Sequence, residues 1–280
     1  MAEPATNWQA PLKSDMLKSR IITAVILLLL LLLVLFVLPG SWWAAVVVLM
    51  VMQGIFEWSK LSRLSGSQTF LYAALTLLLM AVLILSGISH AWIYAVSAVL
   101  WLVVVPIWMV AGLKVENRPL MCLTGWAVLL PTGLAMLDLR SLSPWLLLLA
   151  MSLVWVADIG AYFSGRRFGK HKLAPGISPG KTWEGVAGAV FCASIYALIV
   201  WYALAARLAV PPVAFVLPAI WCWVALAVIG DLFESLIKRQ AGVKDSGSLL
   251  PGHGGLLDRI DALTSTLPLA AMAMLIGQMG

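Results

Sequence analysis

Charge is what this chain has least of. Only 11% of its 280 residues are Asp, Glu, Lys or Arg, against 62% that are hydrophobic. A soluble globular domain carries about 25% charged and about 45–50% apolar residues, so that class is excluded. Cysteine is scarce too. Cys122, Cys192 and Cys222 stand singly in apolar segments without CxxC spacing, which argues against a disulfide framework or a zinc site. They read as small buried hydrophobes. The first apolar run, Ile21 to Leu38, lacks a small-x-small cleavage site and ends in Pro39-Gly40. It is longer than the core of a signal peptide and reads as a retained span.

What remains is a series of apolar runs near the ~20 residues that cross a bilayer as helix. Breaks at polar, Pro and Gly residues predict nine spans, over 20–38, 42–57, 69–88, 91–112, 120–137, 145–164, 184–206, 212–231 and 259–278. The fold expected is an all-α polytopic membrane protein. Spans one to five (1–140) form an N-terminal region, and spans six to nine (141–280) a catalytic region with loops at 165–183 and 232–258. A net charge of +6 would suggest nucleic acid in a soluble protein; here the positive-inside rule explains it. With a cytoplasmic N-terminus, every Lys and Arg except Arg140 and Arg207 falls on the inside. The C-terminus is then outside and the chemistry faces the cytoplasm, with the bilayer as partner and no nucleic acid.

Two inside loops carry the chemistry. In the first, Gly176 to Thr182 resembles a phosphate-binding P-loop but has three residues, not four, before Gly180-Lys181-Thr182. A membrane helix, not a strand, precedes it, so the P-loop is rejected. Glycines that expose backbone N–H groups, the cations Arg166, Arg167, Lys170 and Lys172, and Lys181 before a helix start still favour a bound anion. The competing reading for the arginines is topology alone. Ser178 and Lys181 read as phosphate-binding. Asp158 lies inside span six, where a carboxylate is costly unless paired or solvated; a site role and a structural role both remain open.

The second loop supplies carboxylates in pairs. Asp231 and Glu234 are three apart, and a continued helix would place Ser235 and Lys238 on the same stripe. Asp258 and Asp261 share a face of the first turns of span nine. Acids stabilise a helix start, but Asp231 sits at a helix end, where an acid is disfavoured. Asp231, Asp258 and Asp261 therefore read as ligands for a hard cation such as Mg²⁺, shared with substrate phosphates. A second, monovalent cation is compatible with the same spacing. His253 lies in Pro-Gly-His-Gly-Gly, where its ring could reach a phosphate or stand in solvent; His90, in an outward turn, reads as structural.

The segment holding Ser235, Lys238, Arg239, Lys244, Asp245, Pro251, His253, Gly254, Gly255, Asp258, Arg259 and Asp261 resembles the signature of the integral-membrane phosphatidate cytidylyltransferases. Gly165-Arg166-Arg167-Phe168-Gly169 and Ile177-Ser178-Pro179-Gly180-Lys181-Thr182-Trp183-Glu184-Gly185 are similar to the same family. The resemblance implies transfer of the cytidylyl group of CTP to phosphatidate, giving CDP-diacylglycerol and pyrophosphate, with Mg²⁺ on the CTP phosphates. It implies roles for Lys238, Arg239, His253 and Asp258 in catalysis, and for Ser178, Lys181, Lys170, Lys172, Lys244, Arg259, Gly254 and Gly255 in substrate binding. It implies a homodimer and a bacterial inner membrane. A nucleophile that is already an anionic phosphate needs no strong base, so the missing Ser-His-Asp set and HExxH motif fit the expectation. The alternatives are CTP-dependent phosphorylation of a polyprenol, cytidylyl transfer to another lipid phosphate, and anion transport. A transporter would place its ionisable residues nearer the midplane, commonly in repeated halves.

Overall fold

A computed structural model describes residues 13–206, 210–249 and 254–279 of the chain. Its helices are α1 (Lys13–Phe36), α2 (Gly40–Leu61), α3 (Gly66–Leu85), α4 (Ala91–Val99), α5 (Val105–Ala111), α6 (Arg118–Leu142), α7 (Pro144–Phe168), α8 (Trp183–Ala205), α9 (Val213–Ala241) and α10 (Leu257–Met279). A π-helical stretch, Leu100–Val104, fuses α4 and α5 into a single span. It precedes Pro106, whose missing N–H and bulky ring cannot be accommodated by regular α-helical hydrogen bonding. Among the described residues, eight helical segments are long and apolar enough to cross a membrane, and Val25–Phe36 is a shorter ninth. The expected polytopic helical fold is thus the observed one.

Helices dominate because a bilayer offers no partner for free backbone groups, so each span must satisfy its own. The polar side chains inside the spans follow the same rule: the hydroxyls of Ser59, Thr76, Thr124 and Thr132 donate to the carbonyls one turn back. Local signals set the helix starts. Ser65 and Gln68 form a reciprocal capping box at α3, and Asn117 caps α6 through the Leu120 N–H.

Boundaries differ from the expected spans where polar residues continue a helix. α9 runs on past Asp231 to Ala241, so the expected loop 232–258 shrinks to the connection between α9 and α10. Lys238, Arg239 and Gln240 extend it readily because their side chains find partners in Asp258 and the Ile177 and Leu113 carbonyls while their backbones stay hydrogen-bonded. α2 and α6 are likewise longer than expected. The loop 165–183 is not irregular. It folds into an antiparallel hairpin, β1 (Lys172–Ala174) and β2 (Ser178–Thr182), with Lys172 opposite Thr182 and Ala174 opposite Ser178. That hairpin is the sole sheet in the described residues.

One buried core runs through both halves of the sequence, from Leu35 on α1 to Ala271 on α10. At its centre Phe233 of α9 packs edge-on against Trp101 and Trp108. A smaller core of Leu153, Ala157, Ala189, Ala193 and Val224 joins α7, α8 and α9. There the α7–α8 approach is so close that a Cβ on Gly160 would lie 2.7 Å from the Gly188 carbonyl oxygen, the kind of contact small residues permit between membrane helices. This pair carries the hairpin at its end.

Candidate active site

The C-terminal half of α9 projects Asp231, Glu234 and Lys238 along one side, as the three- and four-residue spacings require. Lys238, although a charged residue, is buried. Its ammonium lies 2.5 Å from Asp258 Oδ1 and 3.4 Å from Glu234 Oε1. The other oxygen of Asp258 accepts from the Ser246 N–H at 2.9 Å, the Ser246 hydroxyl at 3.0 Å and the Gly255 N–H at 2.8 Å. The bond from the Gly255 N–H ties the connection to the first turn of α10. Asp258 is therefore a junction: it pins Lys238 with one oxygen and folds the α9–α10 connection with the other.

A second carboxylate completes this junction, and the sequence reading missed it. Glu57, near the end of α2, is 1% exposed. Its Oε1 accepts from Gln53 Nε2 and the Leu256 N–H at 2.9 and 2.8 Å. Its Oε2 accepts from the Ser246 hydroxyl and the Leu257 N–H at 2.7 and 2.9 Å. Two of these donors are the otherwise orphaned N–H groups at the α10 N-terminus, where a carboxylate is favoured by both hydrogen bonding and the helix dipole. The signal in the sequence was an acid between Phe56 and Trp58 inside an apolar run. The paired glycines follow from the same geometry. Gly254 has φ +78°, and a Cβ on Gly255 would collide with the Ser246 hydroxyl and the Glu57 carboxylate.

The third carboxylate is unlike these two. Both oxygens of Glu234 are buried and make no hydrogen bond; Lys238 at 3.4 Å is its ion-pair partner. Glu234 and Asp261 border a narrow void beneath the Trp58 and Trp101 rings. Asp261 has one oxygen on the Ala262 N–H at 2.8 Å. Among the described residues no three His, Cys, Asp or Glu side chains form a ready-made cage for a metal. A Mg²⁺ ion commonly uses only one or two carboxylates and takes the rest of its shell from water and substrate phosphates. The donor-free oxygens of Glu234 beside Asp261 have the chemistry a hard cation needs, so the residues fit such an ion.

Less than one helical turn back along α9 from Glu234, a cavity of about 500 Å³ opens between α7, α8, α9 and the hairpin. Lys181 at the end of β2 reaches into it and pairs with Asp231 at 2.5 Å. Asp158 of α7 borders the same cavity, so its membrane-depth carboxylate belongs to the site's wall. Arg166, also on the wall, is held over Tyr162 by a 2.7 Å bond to its hydroxyl. The hairpin is braced against α8: His171 Nδ1 is 2.6 Å from Glu184 Oε1, and the Thr182 hydroxyl caps the helix through the Gly185 N–H.

The remaining expected residues are distributed less tightly. Lys170 and Lys172 are exposed at the hairpin, Ser178 is half-buried in β2, and Lys244 and Arg259 are exposed. Arg239 turns away from Lys238, donating to the Ile177 and Val243 carbonyls at 3.4 and 3.3 Å. His253 lies outside the described residues. At the far end of the bundle His90 pairs with Asp138 at 2.9 Å. Asp138 also accepts from Tyr94 at 2.7 Å, a closed structural set.

The family model described as "Cytidylyltransferase family" matches residues 18–276. A protein named phosphatidate cytidylyltransferase from Pseudomonas aeruginosa is 40% identical over 277 residues, covering 91% of this chain and 96% of the relative. One of the same name from Haemophilus influenzae is 36% identical over 279 residues, covering 90% and 96%. One from Staphylococcus aureus is 44% identical over 132 residues, 44% of this chain and 46% of the relative. With a family match running almost end to end over a bundle that gathers its lysines and carboxylates at one end, this chain belongs to the cytidylyltransferase family.

Proposed function

We propose that this protein transfers the cytidylyl group of CTP to phosphatidate, forming CDP-diacylglycerol and releasing pyrophosphate. Support comes from the two relatives of that name that align over nine-tenths of the chain. The observation that carries the reading is the pairing of two lysines with two aspartates at one end of the bundle, Lys181 with Asp231 and Lys238 with Asp258, beside a cavity open enough for phosphates.

The reaction joins an oxygen of the phosphatidate phosphate to the α-phosphorus of CTP, and the bond to the bridging oxygen of pyrophosphate breaks. Both partners are polyanions, so the barrier lies in bringing them together and in stabilising charge on the leaving group. Lys181, reached from the hairpin, and Lys238, reached from α9, supply positive charge from two sides. Each is held by a carboxylate in the absence of substrate, which keeps its ammonium in place rather than free to rotate. Ser178, Lys170, Lys172, Lys244, Arg239 and Arg259 complete a basic rim that attracts and orients phosphates, with the Gly254-Gly255 backbone and His253 close to the reacting phosphorus. The phosphatidate headgroup enters from the adjoining leaflet while its acyl chains stay in lipid.

A bound Mg²⁺ would neutralise triphosphate charge and polarise the leaving group. Asp231 and Asp261, with Glu234, are the residues that would hold it. Asp258, whose Oδ1 holds Lys238, would be a further ligand. A monovalent cation beside Glu234 would fit the same charge. The site faces the cytoplasm of a bacterial inner membrane, a placement supported by the Lys and Arg distribution, and the enzyme works as a homodimer.

The test is incubation of the purified, detergent-solubilised protein with CTP labelled at the α-phosphorus, phosphatidate and Mg²⁺, with and without EDTA. Label in a lipid-extractable product, dependent on phosphatidate and lost with EDTA, is the expected result. Label that enters lipid only from γ-labelled CTP would replace cytidylyl transfer with phosphorylation.

A further inference from the structure

A second concentration of cations, of which only Arg239 was assigned a role above, surrounds a different pocket of about 440 Å³ between the C-terminal end of α2, the connector 112–117 and the last turns of α9. Arg63, Lys114, Arg118 and Arg239 line it against one acid, Glu116. Lys114, Glu116 and Arg118 have no hydrogen-bond or ion-pair partner among the described residues. Topology alone would account for positive charge here, but not for two further features, the Ser62 hydroxyl and the placement of Arg118.

The Ser62 hydroxyl, in a residue 4% exposed, lines this pocket and makes no hydrogen bond. The hydroxyls of Ser59, Thr76, Thr124 and Thr132 bond back one turn, whereas Ser62, like Ser97 of α4, has no partner; buried polar atoms are rarely left so. Next to it, Arg63 adopts φ +54°, the one positive φ of a non-glycine residue in the described chain. That conformation closes the α2 C-terminus, where the Arg63 and Leu64 N–H groups bond back to the Lys60 and Ser59 carbonyls. Arg118 opens α6, where the helix dipole disfavours a cation and favours an anion.

The pocket is also rigidly built. Gln240 donates to the Leu113 carbonyl at 2.6 Å and accepts from the Val115 N–H at 3.4 Å, tying the connector to α9. Arg63 donates to the Gln240 carbonyl at 3.3 Å. Beside it, Val110, Leu113 and Leu120 point outward, which sets the pocket next to lipid-facing surface. A cationic, preformed pocket with a hydroxyl lacking a partner suits a tetrahedral oxyanion.

We propose that this pocket binds the phosphate of an anionic ligand other than the two reacting phosphates, with Lys114 and Arg118 supplying charge and Ser62 a hydrogen bond. The phosphate could come from the headgroup of an anionic phospholipid in the adjoining leaflet or from soluble pyrophosphate. Arg239 lines the pocket and also holds the Ile177 carbonyl of the hairpin connection, so an occupied pocket touches the arm that carries Ser178 and Lys181. Such binding stands whether or not the cleft transfers cytidylyl groups, because it is read without turnover.

The experiment is native mass spectrometry of the full-length protein in neutral detergent, titrated with phosphatidylglycerol, with phosphatidylcholine as the zwitterionic reference, and in a separate arm with pyrophosphate. Wild type is compared with Lys114→Gln/Arg118→Gln and with Ser62→Ala. The expected result is an anionic adduct that weakens about tenfold or more in the double variant and about threefold in Ser62→Ala, with the KM for CTP unchanged. Loss of the phosphatidylglycerol adduct identifies a headgroup, and loss of the pyrophosphate adduct identifies the soluble ion. Adducts unchanged in both variants overturn the site. Loss of pyrophosphate binding with a parallel rise in the KM for CTP overturns it too, since the pocket would then be part of the nucleotide site.

Discussion

Glu57 and Glu234 are both buried glutamates at the same end of the bundle, yet their surroundings are opposite. Glu57 accepts four hydrogen bonds, two of them from the backbone at the start of α10. Glu234 accepts none; the Lys238 ammonium is its ion-pair partner and Asp261 borders the same void. A buried charge is costly unless it is paired and hydrogen-bonded. Glu57 meets that cost within the fold and is an anchor. Glu234 does not, and its deficit marks where a ligand's charge belongs. Asp258 stands between them, saturated like Glu57 but spending one oxygen on the lysine that Glu234 shares.

Four substitutions can break or sharpen that contrast. The largest effect is expected at the junction itself. Asp258→Asn removes the charge that fixes Lys238 and should lower turnover by about 10²–10³-fold, measured as labelled CDP-lipid formed by protein that still inserts and purifies normally. Near-normal turnover would remove Asp258 from the catalytic set. Next is Gly255→Ala, whose new methyl meets Ser246 and Glu57. It should destabilise the junction by about 1–3 kcal/mol, seen as a lower melting temperature in detergent, with turnover reduced as well.

Lys181→Gln should act on the open cavity alone. It frees Asp231 and removes one phosphate contact, so turnover should fall about tenfold or more while the melting temperature stays close to that of wild type. A large loss of stability would show that the Lys181–Asp231 pair is a structural brace. The smallest effect is predicted at the far end, where Asp138→Asn weakens the set with His90 and Tyr94. A cost of about 1 kcal/mol and unchanged turnover are expected. A fall in turnover there would mean that the chemistry is not confined to one end.

Much of this was legible in the sequence because membrane helices obey local rules. Apolar runs gave the spans, and the three- and four-residue spacings put Asp231, Glu234 and Lys238 on one side of α9. What was not legible depended on distant partners. Glu57 bonds to N–H groups 199 and 200 residues further on, and no periodicity reports a contact of that kind. The hairpin was hidden for a different reason: Pro175, Gly176, Pro179 and Gly180 mark a turn-rich loop, and two strands this short carry no alternating pattern. Spacing also could not separate a metal ligand from a clamp. Asp258 and Asp261 look equivalent in sequence, whereas Asp258 has both oxygens engaged by Lys238, Ser246 and Gly255, and Asp261 borders the void beside Glu234.

The most direct measurement compares Glu57→Gln and Glu234→Gln side by side for melting temperature and for CTP- and Mg²⁺-dependent turnover. Glutamine at 57 can no longer accept all four donors, so that variant should lose about 2–3 kcal/mol of stability. Glutamine at 234 removes a charge the fold does not satisfy, so that variant should melt at or above the wild-type temperature while losing turnover. A Glu234→Gln protein that melts well below wild type, or that turns over normally, would contradict the assignment of Glu234 to ligand binding.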